Sequence, residues 1–179
     1  MNNKDYYYMG IAKEVSNASK CLSRKIGAVL VKYDTIISTG YNGPPRNIAH
    51  CENHAIVTDP DGNQHLKMNV VKSVVNNNAM TCPRKRAGFV SGEGMQFCIA
   101  GHGEENAIVQ AARVGVSTKD SKLYCYCGIP CEKCCIKIIN AGVTDVYCLK
   151  DNKNSKYDKN LSQELLENAK IKLHFMDFE

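Results

Sequence analysis

The second half of this chain alternates helix and strand so regularly that few folds can hold it. Residues 104–114 put Ala107, Ile108, Ala111 and Ala112 on one helical side, and residues 122–127 form an apolar run of strand length. Residues 132–141 return to helical spacing before Gly142 stops them. A strand at 144–149, a helix at 161–169 and a strand at 171–175 complete the series. Short strand–helix–strand connections require parallel pairing, with helices against the sheet. Upstream, residues 4–19 carry a helical stripe of Tyr8, Ile11, Ala12 and Val15. Two β-branched runs, 26–31 and 35–41, flank the tripeptide KYD and predict an antiparallel hairpin that Gly43-Pro44-Pro45 ends. The expected fold is α/β, a three-layer α/β/α sandwich around a mixed five-stranded sheet. A length of 179 residues suits one domain spanning 1–179.

Between about residues 44 and 98 the periodicity fades into a loop-rich insertion. A helix is expected over 64–75, with turns at Asp59-Pro60-Asp61-Gly62 and Asn76-Asn77-Asn78. So long an irregular stretch needs a further source of order, such as a metal or a subunit partner. The apolar content of 44% excludes disorder, and no apolar run is long enough to span a membrane. The opening MNNKDYYYMG lacks the layout of a secretory signal, so the expected location is cytoplasmic. Ten cysteines in such a chain suggest metal binding or burial rather than disulfides. Much of the net charge of +5 lies in Arg84-Lys85-Arg86 and the Lys-rich tail; without a stacking motif it does not predict a nucleic-acid polymer as partner.

Two short motifs carry the chemistry, His102-Gly103-Glu104 and Pro130-Cys131-Glu132-Lys133-Cys134, each at the start of an expected helix. Residues three apart on a helix share a face, so Cys131 and Cys134 can reach one ion, and the first turn of a helix favours their thiolates. With His102 they make three protein ligands and leave the fourth tetrahedral position of a zinc ion open to water. Two thiolates neutralise Zn²⁺, so that water needs a base, and Glu104 is placed beside the metal without ligating it. The pattern H-x-E followed by P-C-x-x-C is the signature of the zinc deaminases.

The segments HGEENAIVQAARVG and LYCYCGIPCEKCCIKIINAGVTDVYCL resemble the catalytic half of deoxycytidylate (dCMP) deaminases, within the zinc-dependent cytidine/deoxycytidylate deaminase family. The stretch SKCLSRKIGAVLVKYDTIISTGYNGPP resembles their first helix, hairpin and G-Y-N-G loop. This chain departs from the usual pattern in having Gly103 where Ala is common, and one extra residue between Tyr124 and Pro130. The resemblance implies a cytidine deaminase-like fold and hydrolysis of dCMP to dUMP and ammonia. Glu104 would carry protons from water to N3 of the ring and then to the departing amine. The resemblance further implies that Asn42 contacts the sugar and Arg24 faces the 5′-phosphate, while Asn106 holds the base pocket or caps its helix. It implies a hexamer activated by dCTP and inhibited by dTTP, with Mg²⁺ on the effector phosphates and Tyr41, Asn42 and Gly43 at the effector site.

Some phage-type relatives carry a second, structural zinc on cysteines that match Cys21 and Cys51. Cys82 and Cys98 could complete four ligands, with His50 or His54 as substitutes. Cys125 and Cys127 alternate on one strand face and are expected, like Cys148, to be buried apolar thiols. Cys135 should point away from the metal. Arg113 is expected in an interface or ion pair, and Tyr6-Tyr7-Tyr8 in helix packing. Two other readings stand beside this one: a cytidine, guanine or tRNA-adenosine deaminase of the same fold, and a non-catalytic zinc-stabilised binding module. A structural site would have no use for Glu104.

Overall fold

Asn2 and Asp5 open the first helix reciprocally. The Asp5 amide donates to Asn2 Oδ1 at 3.0 Å and the Asn2 amide to Asp5 Oδ2 at 2.9 Å, satisfying two otherwise free amides. The structure, a computed structural model, describes residues 2–70, 81–90, 92–150 and 159–178. The helix, α1, spans Asn3–Asn17 and buries Asp5, Tyr8, Met9, Ala12 and Ser16 along one face. Strands β1 (Gly27–Lys32) and β2 (Thr35–Tyr41) form the expected antiparallel hairpin. Its turn residues Tyr33 and Asp34 take φ of 50° and 56°, the sign a tight hairpin turn requires. The Tyr8 hydroxyl donates to the Asp34 carbonyl at 2.8 Å and fixes that turn to α1.

The segment after the hairpin departs from expectation. Residues Gln64–Lys67 are not helical; they form β4, paired antiparallel with β3 (Ala55–Thr58). The reason is the turn between them. Asp59 Oδ1 accepts from the amides of Asp61 and Asn63 at 3.0 and 2.8 Å, and Gly62 takes a φ of 86°, so the chain reverses. The rest of the predicted 64–75 helix, residues 71–75, and the Asn76-Asn77-Asn78 turn lie outside the described residues. A single-turn helix α2, Pro83–Arg86, follows; the Arg86 guanidinium donates to the carbonyls of Thr81 and His54 and ties it to the β3 side.

The remaining elements are α3 (Gly103–Arg113), β5 (Lys122–Cys125), α4 (Glu132–Asn140), β6 (Asp145–Leu149), α5 (Lys159–Asn168) and β7 (Lys172–Met176). The main sheet runs β2-β1-β5-β6-β7, with β5, β6 and β7 parallel and β1 antiparallel to both of its neighbours. It is the mixed five-stranded sheet of the sequence reading. One face packs Ala28, Leu30, Leu123 and Val146 against Ala107, Ala111, Ile138 and Leu166 of α3, α4 and α5. The other packs Val29, Val31, Tyr124 and Tyr147 against Tyr8, Met9 and Ala12 of α1. Because β1 is covered on both faces, it reads as a continuous apolar run rather than an alternation.

Glycine sets how closely the layers approach. A Cβ on Gly27 would stand 2.1 Å from the Ala12 carbonyl oxygen, so α1 rests directly on β1. One on Gly40 would stand 2.2 Å from the Ala107 nitrogen and 2.3 Å from the Gly103 oxygen, so α3 rests directly on β2. Buried Ser38 adds a bond from its hydroxyl to the Ala107 carbonyl at 2.7 Å. The start of α3 is thereby held in a fixed place over the sheet.

Candidate active site

His102 and Cys131 occupy equivalent positions, the N-caps of α3 and α4, both with extended backbone. Neither side chain caps its own helix, so each is available for another partner. The His102 Nδ1 faces Cys131 Sγ at 3.4 Å and Cys134 Sγ at 3.3 Å. These three donor atoms lie within 4.8 Å of one another. Two helix N-termini point at this spot, and their partial positive charge favours thiolates. The Cys134 thiol holds Cys131 well below the usual thiol range by hydrogen bonding to it, and His102 adds to the effect. His102 is in turn raised by its bond with Cys131. One imidazole and two thiols, one of them already inclined to ionise, fit a tetrahedral zinc ion with one position left open.

Glu104 lies in the first turn of α3 and is 2% exposed. Burial pushes its carboxyl above the usual carboxylate range. Its two oxygens differ: Oε1 accepts from the Cys127 thiol at 3.6 Å, whereas Oε2 is buried without a partner. Such an orphaned oxygen is costly in a finished core and suits a site that completes itself with a ligand. Sequence reasoning places Cys127 in the apolar core and misses its contact with Glu104. The available signal is the alternation of 125 and 127 beyond β5, combined with the extra residue before Pro130. Gly103 has a local reason as well: a Cβ there would stand 3.1 Å from both Ile26 Cγ2 and the Ile26 oxygen.

The second region predicted from sequence closes around Asn42. This side chain is 5% exposed and committed at both ends: Oδ1 accepts from the Ile26 amide at 2.7 Å and Nδ2 donates to the Arg24 carbonyl at 2.8 Å. It therefore pins the backbone on which Arg24 sits. Arg24 itself is exposed. Asn106 does not cap its helix; its Nδ2 donates to the Tyr41 carbonyl at 2.8 Å and joins α3 to the end of β2. Gly43 exchanges both backbone bonds with Gly101, at 3.1 and 2.9 Å, so its amide already has a partner. Tyr41 is exposed.

The other cysteines divide as their surroundings dictate. Burial, with smaller contributions from nearby Cys98, Cys21 and Cys82, pushes Cys51 up to about 11, so these four thiols lie near one another. They are less tightly closed than the His102 group: among the described residues, two groups have all their donor atoms within 4.8 Å, and neither contains this quartet. His50 and His54 each have a buried Nδ1 without a partner. Cys125 and Cys148 are buried as expected, whereas Cys127 is partly exposed; Cys135 is buried too, and its thiol donates to the Pro130 carbonyl. Arg113, the last residue of α3, is exposed; of the tyrosine run only Tyr8 is buried.

Comparison with known proteins agrees with this geometry. Residues 2–150 match the family described as the cytidine and deoxycytidylate deaminase zinc-binding region. A deoxycytidylate deaminase of Schizosaccharomyces pombe is 31% identical over 142 residues, which cover 79% of this chain but 35% of that protein. The deoxycytidylate deaminase of Enterobacteria phage T2 is 33% identical over 173 residues, covering 91% of this chain and 87% of the phage protein. The chain thus spans only part of the yeast relative and most of the phage one. Among solved structures, the dCMP deaminase of cyanophage S-TIM5 in complex with dCMP and dUMP aligns with a TM-score of 0.65 at 23% identity, over 98% of this chain and 99% of that one. That likeness is one of fold, the mixed sheet and helices of the cytidine deaminase-like proteins.

Proposed function

The chain belongs to the cytidine and deoxycytidylate deaminase family, whose zinc-binding region it matches, and on that footing we propose that it hydrolyses dCMP to dUMP and ammonia. The observation that carries this reading is the buried, half-satisfied carboxylate of Glu104 beside the convergent donors of His102, Cys131 and Cys134. Those three residues would hold the zinc ion. When bound, it supplies a concentrated positive charge that makes a water molecule acidic enough to attack near neutral pH.

The chain's own residues do the remainder. Glu104 Oε2, free of any protein partner, takes a proton from the attacking water. Burial makes it a stronger base than an exposed glutamate, so it takes the proton from water more readily. It delivers the proton to N3 as the bond to C4 forms, then carries a second to the amine as the C4–N bond breaks. Cys127 keeps Oε1 occupied, so one oxygen does both transfers. Exposed Arg24 would meet the 5′-phosphate, with a planar fork suited to its oxygens. Asn42 sets Arg24 through the backbone and keeps one N–H and one lone pair for the sugar. Asn106 holds the G-Y-N-G turn against α3.

A second zinc on Cys21, Cys51, Cys82 and Cys98 would give residues 44–98 the order their composition does not supply, and the mutual influence of the four thiols supports it. A metal count of one per chain would remove it. Regulation by dCTP and dTTP, with Mg²⁺ on the effector phosphates, and a hexameric assembly rest on the family resemblance, with Tyr41, Asn42 and Gly43 as the effector-site residues. Following the loss of cytosine absorbance with dCMP, CMP, deoxycytidine and cytidine, with and without dCTP and dTTP, tests the whole proposal. Turnover of dCMP should exceed that of the nucleosides; equal turnover of deoxycytidine removes the phosphate role of Arg24, and indifference to dCTP and dTTP removes the regulation.

A further inference from the structure

A second set of donor atoms converges next to the first. Glu104, Cys125 and Cys127 each present one, all within 4.8 Å of one another, the same closeness that defines the His102 group. The backbone pairing explains why. Tyr126 donates to the Gly27 carbonyl and Leu149 to the Cys127 carbonyl, so the extended pairing of β5 continues to Cys127 and both thiols point to the α3 side. Cys125 is buried and Cys127 partly exposed.

The spacing is that of a metal edge. Bonds of about 2.3 Å to sulfur and about 2.0 Å to oxygen at tetrahedral angles put the two donors about 3.5 Å apart on a zinc ion. Cys127 Sγ and Glu104 Oε1 stand 3.6 Å apart. Glu104 Oε2, buried with no partner, shows that the carboxylate can still accept a further ligand. Two thiols and a carboxylate select soft or borderline ions such as Zn²⁺ and Cd²⁺ over Mg²⁺ or Ca²⁺. Deprotonated, they carry three negative charges, enough to hold a divalent ion beside a zinc site that its own two thiolates already neutralise.

We propose that Glu104, Cys125 and Cys127 form an inhibitory site for a second thiophilic divalent cation, beside the catalytic zinc. The proposal deepens the deaminase reading and rests on Glu104 as its proton carrier. Binding releases one proton from each thiol to solvent and adds a bond from the ion to the Glu104 carboxylate. A carboxylate held by an ion no longer accepts and returns protons, so turnover stops while the His102 group keeps its metal.

The test uses purified enzyme carrying its resident metal, with added Zn²⁺ as the probe. Bound zinc is counted after desalting, and dCMP turnover is followed in parallel. Wild type should take up one more ion than Cys127→Ser, Cys127→Ala or Glu104→Gln, with turnover falling roughly tenfold or more as that ion binds. A weak chelator should restore it. The two Cys127 variants should keep their resident zinc, and the same excess should not lower the turnover of either below its own rate before zinc is added, whatever that rate is; using both guards against a folding defect in one. Equal uptake by wild type and all three variants overturns the proposal, as does equal inhibition of wild type and the Cys127 variants. Lack of dCMP turnover before any zinc is added would count against the deaminase reading alone, because the difference in ion uptake is read without substrate.

Discussion

Replacing Asn42 with alanine separates its two candidate roles, as a pin for the chain and as a contact for the nucleotide. The side chain is 5% exposed and makes two bonds of 2.7 and 2.8 Å to backbone groups of Ile26 and Arg24. Its removal leaves the buried Ile26 amide without an acceptor, a loss of about 1–3 kcal/mol. The Arg24 carbonyl is only partly buried and can turn to water, so its share is smaller. Lost packing adds about 1 kcal/mol, for a total of roughly 3 kcal/mol. For a chain of 179 residues that lowers the melting midpoint by roughly 6–12 °C. The assay is thermal unfolding of Asn42→Ala and wild type at equal zinc saturation, since bound metal itself shifts the midpoint. KM for dCMP should rise in step, because Arg24 loses its backbone anchor. If Asn42→Ala melts within a degree or two of wild type yet shows a large rise in KM, the pinning account is wrong and Asn42 acts directly on the ligand.

Glu104→Gln keeps the shape of the side chain but cannot carry a proton; kcat should fall by about 10²–10⁴ with resident zinc unchanged, measured by steady-state kinetics and metal analysis. Gly40→Ala forces a Cβ to within 2.2 and 2.3 Å of α3 backbone, so it should lower the melting midpoint by several degrees and loosen the metal that His102 holds. Gly43→Ala meets nothing within 4 Å and should melt like wild type, so any change in the response to dCTP or dTTP would implicate Gly43 in the effector site itself. Burial alone would raise Asp145, but hydrogen bonds from His174 and Thr144 outweigh it and hold the carboxyl below the usual carboxylate range. Its contribution is therefore present above that range and lost as pH falls through the lowered one; Asp145→Asn should flatten stability against pH only below about pH 4, by less than about 1 kcal/mol, read in urea unfolding.

What could be read from the sequence is what short-range periodicity records. Helical stripes and strand runs gave every element of the main sheet to within a few residues, because burial on one face repeats at fixed spacing. The β3–β4 hairpin escaped because Asp59 and Gly62 create it through a turn, not through a pattern in the strands. The antiparallel contact of β1 with β5 escaped too: Leu30 meets Leu123 across a separation that no local signal spans.

The same distinction governs the site. His102 and Cys131 are legible because each begins a helix, and a helix start is written in neighbouring residues. Glu104 follows from His102 by spacing alone. Cys127 does not: its role depends on β5 extending far enough to bring a thiol under α3, and α3 lies where it does only because Gly40 admits it. Gly40 thus helps set the height at which Glu104 meets Cys127. Substitutions at Gly40 should therefore act on metal retention and on catalysis together, because Gly40 meets the Gly103 carbonyl, which stands directly between His102 and Glu104 at the start of α3.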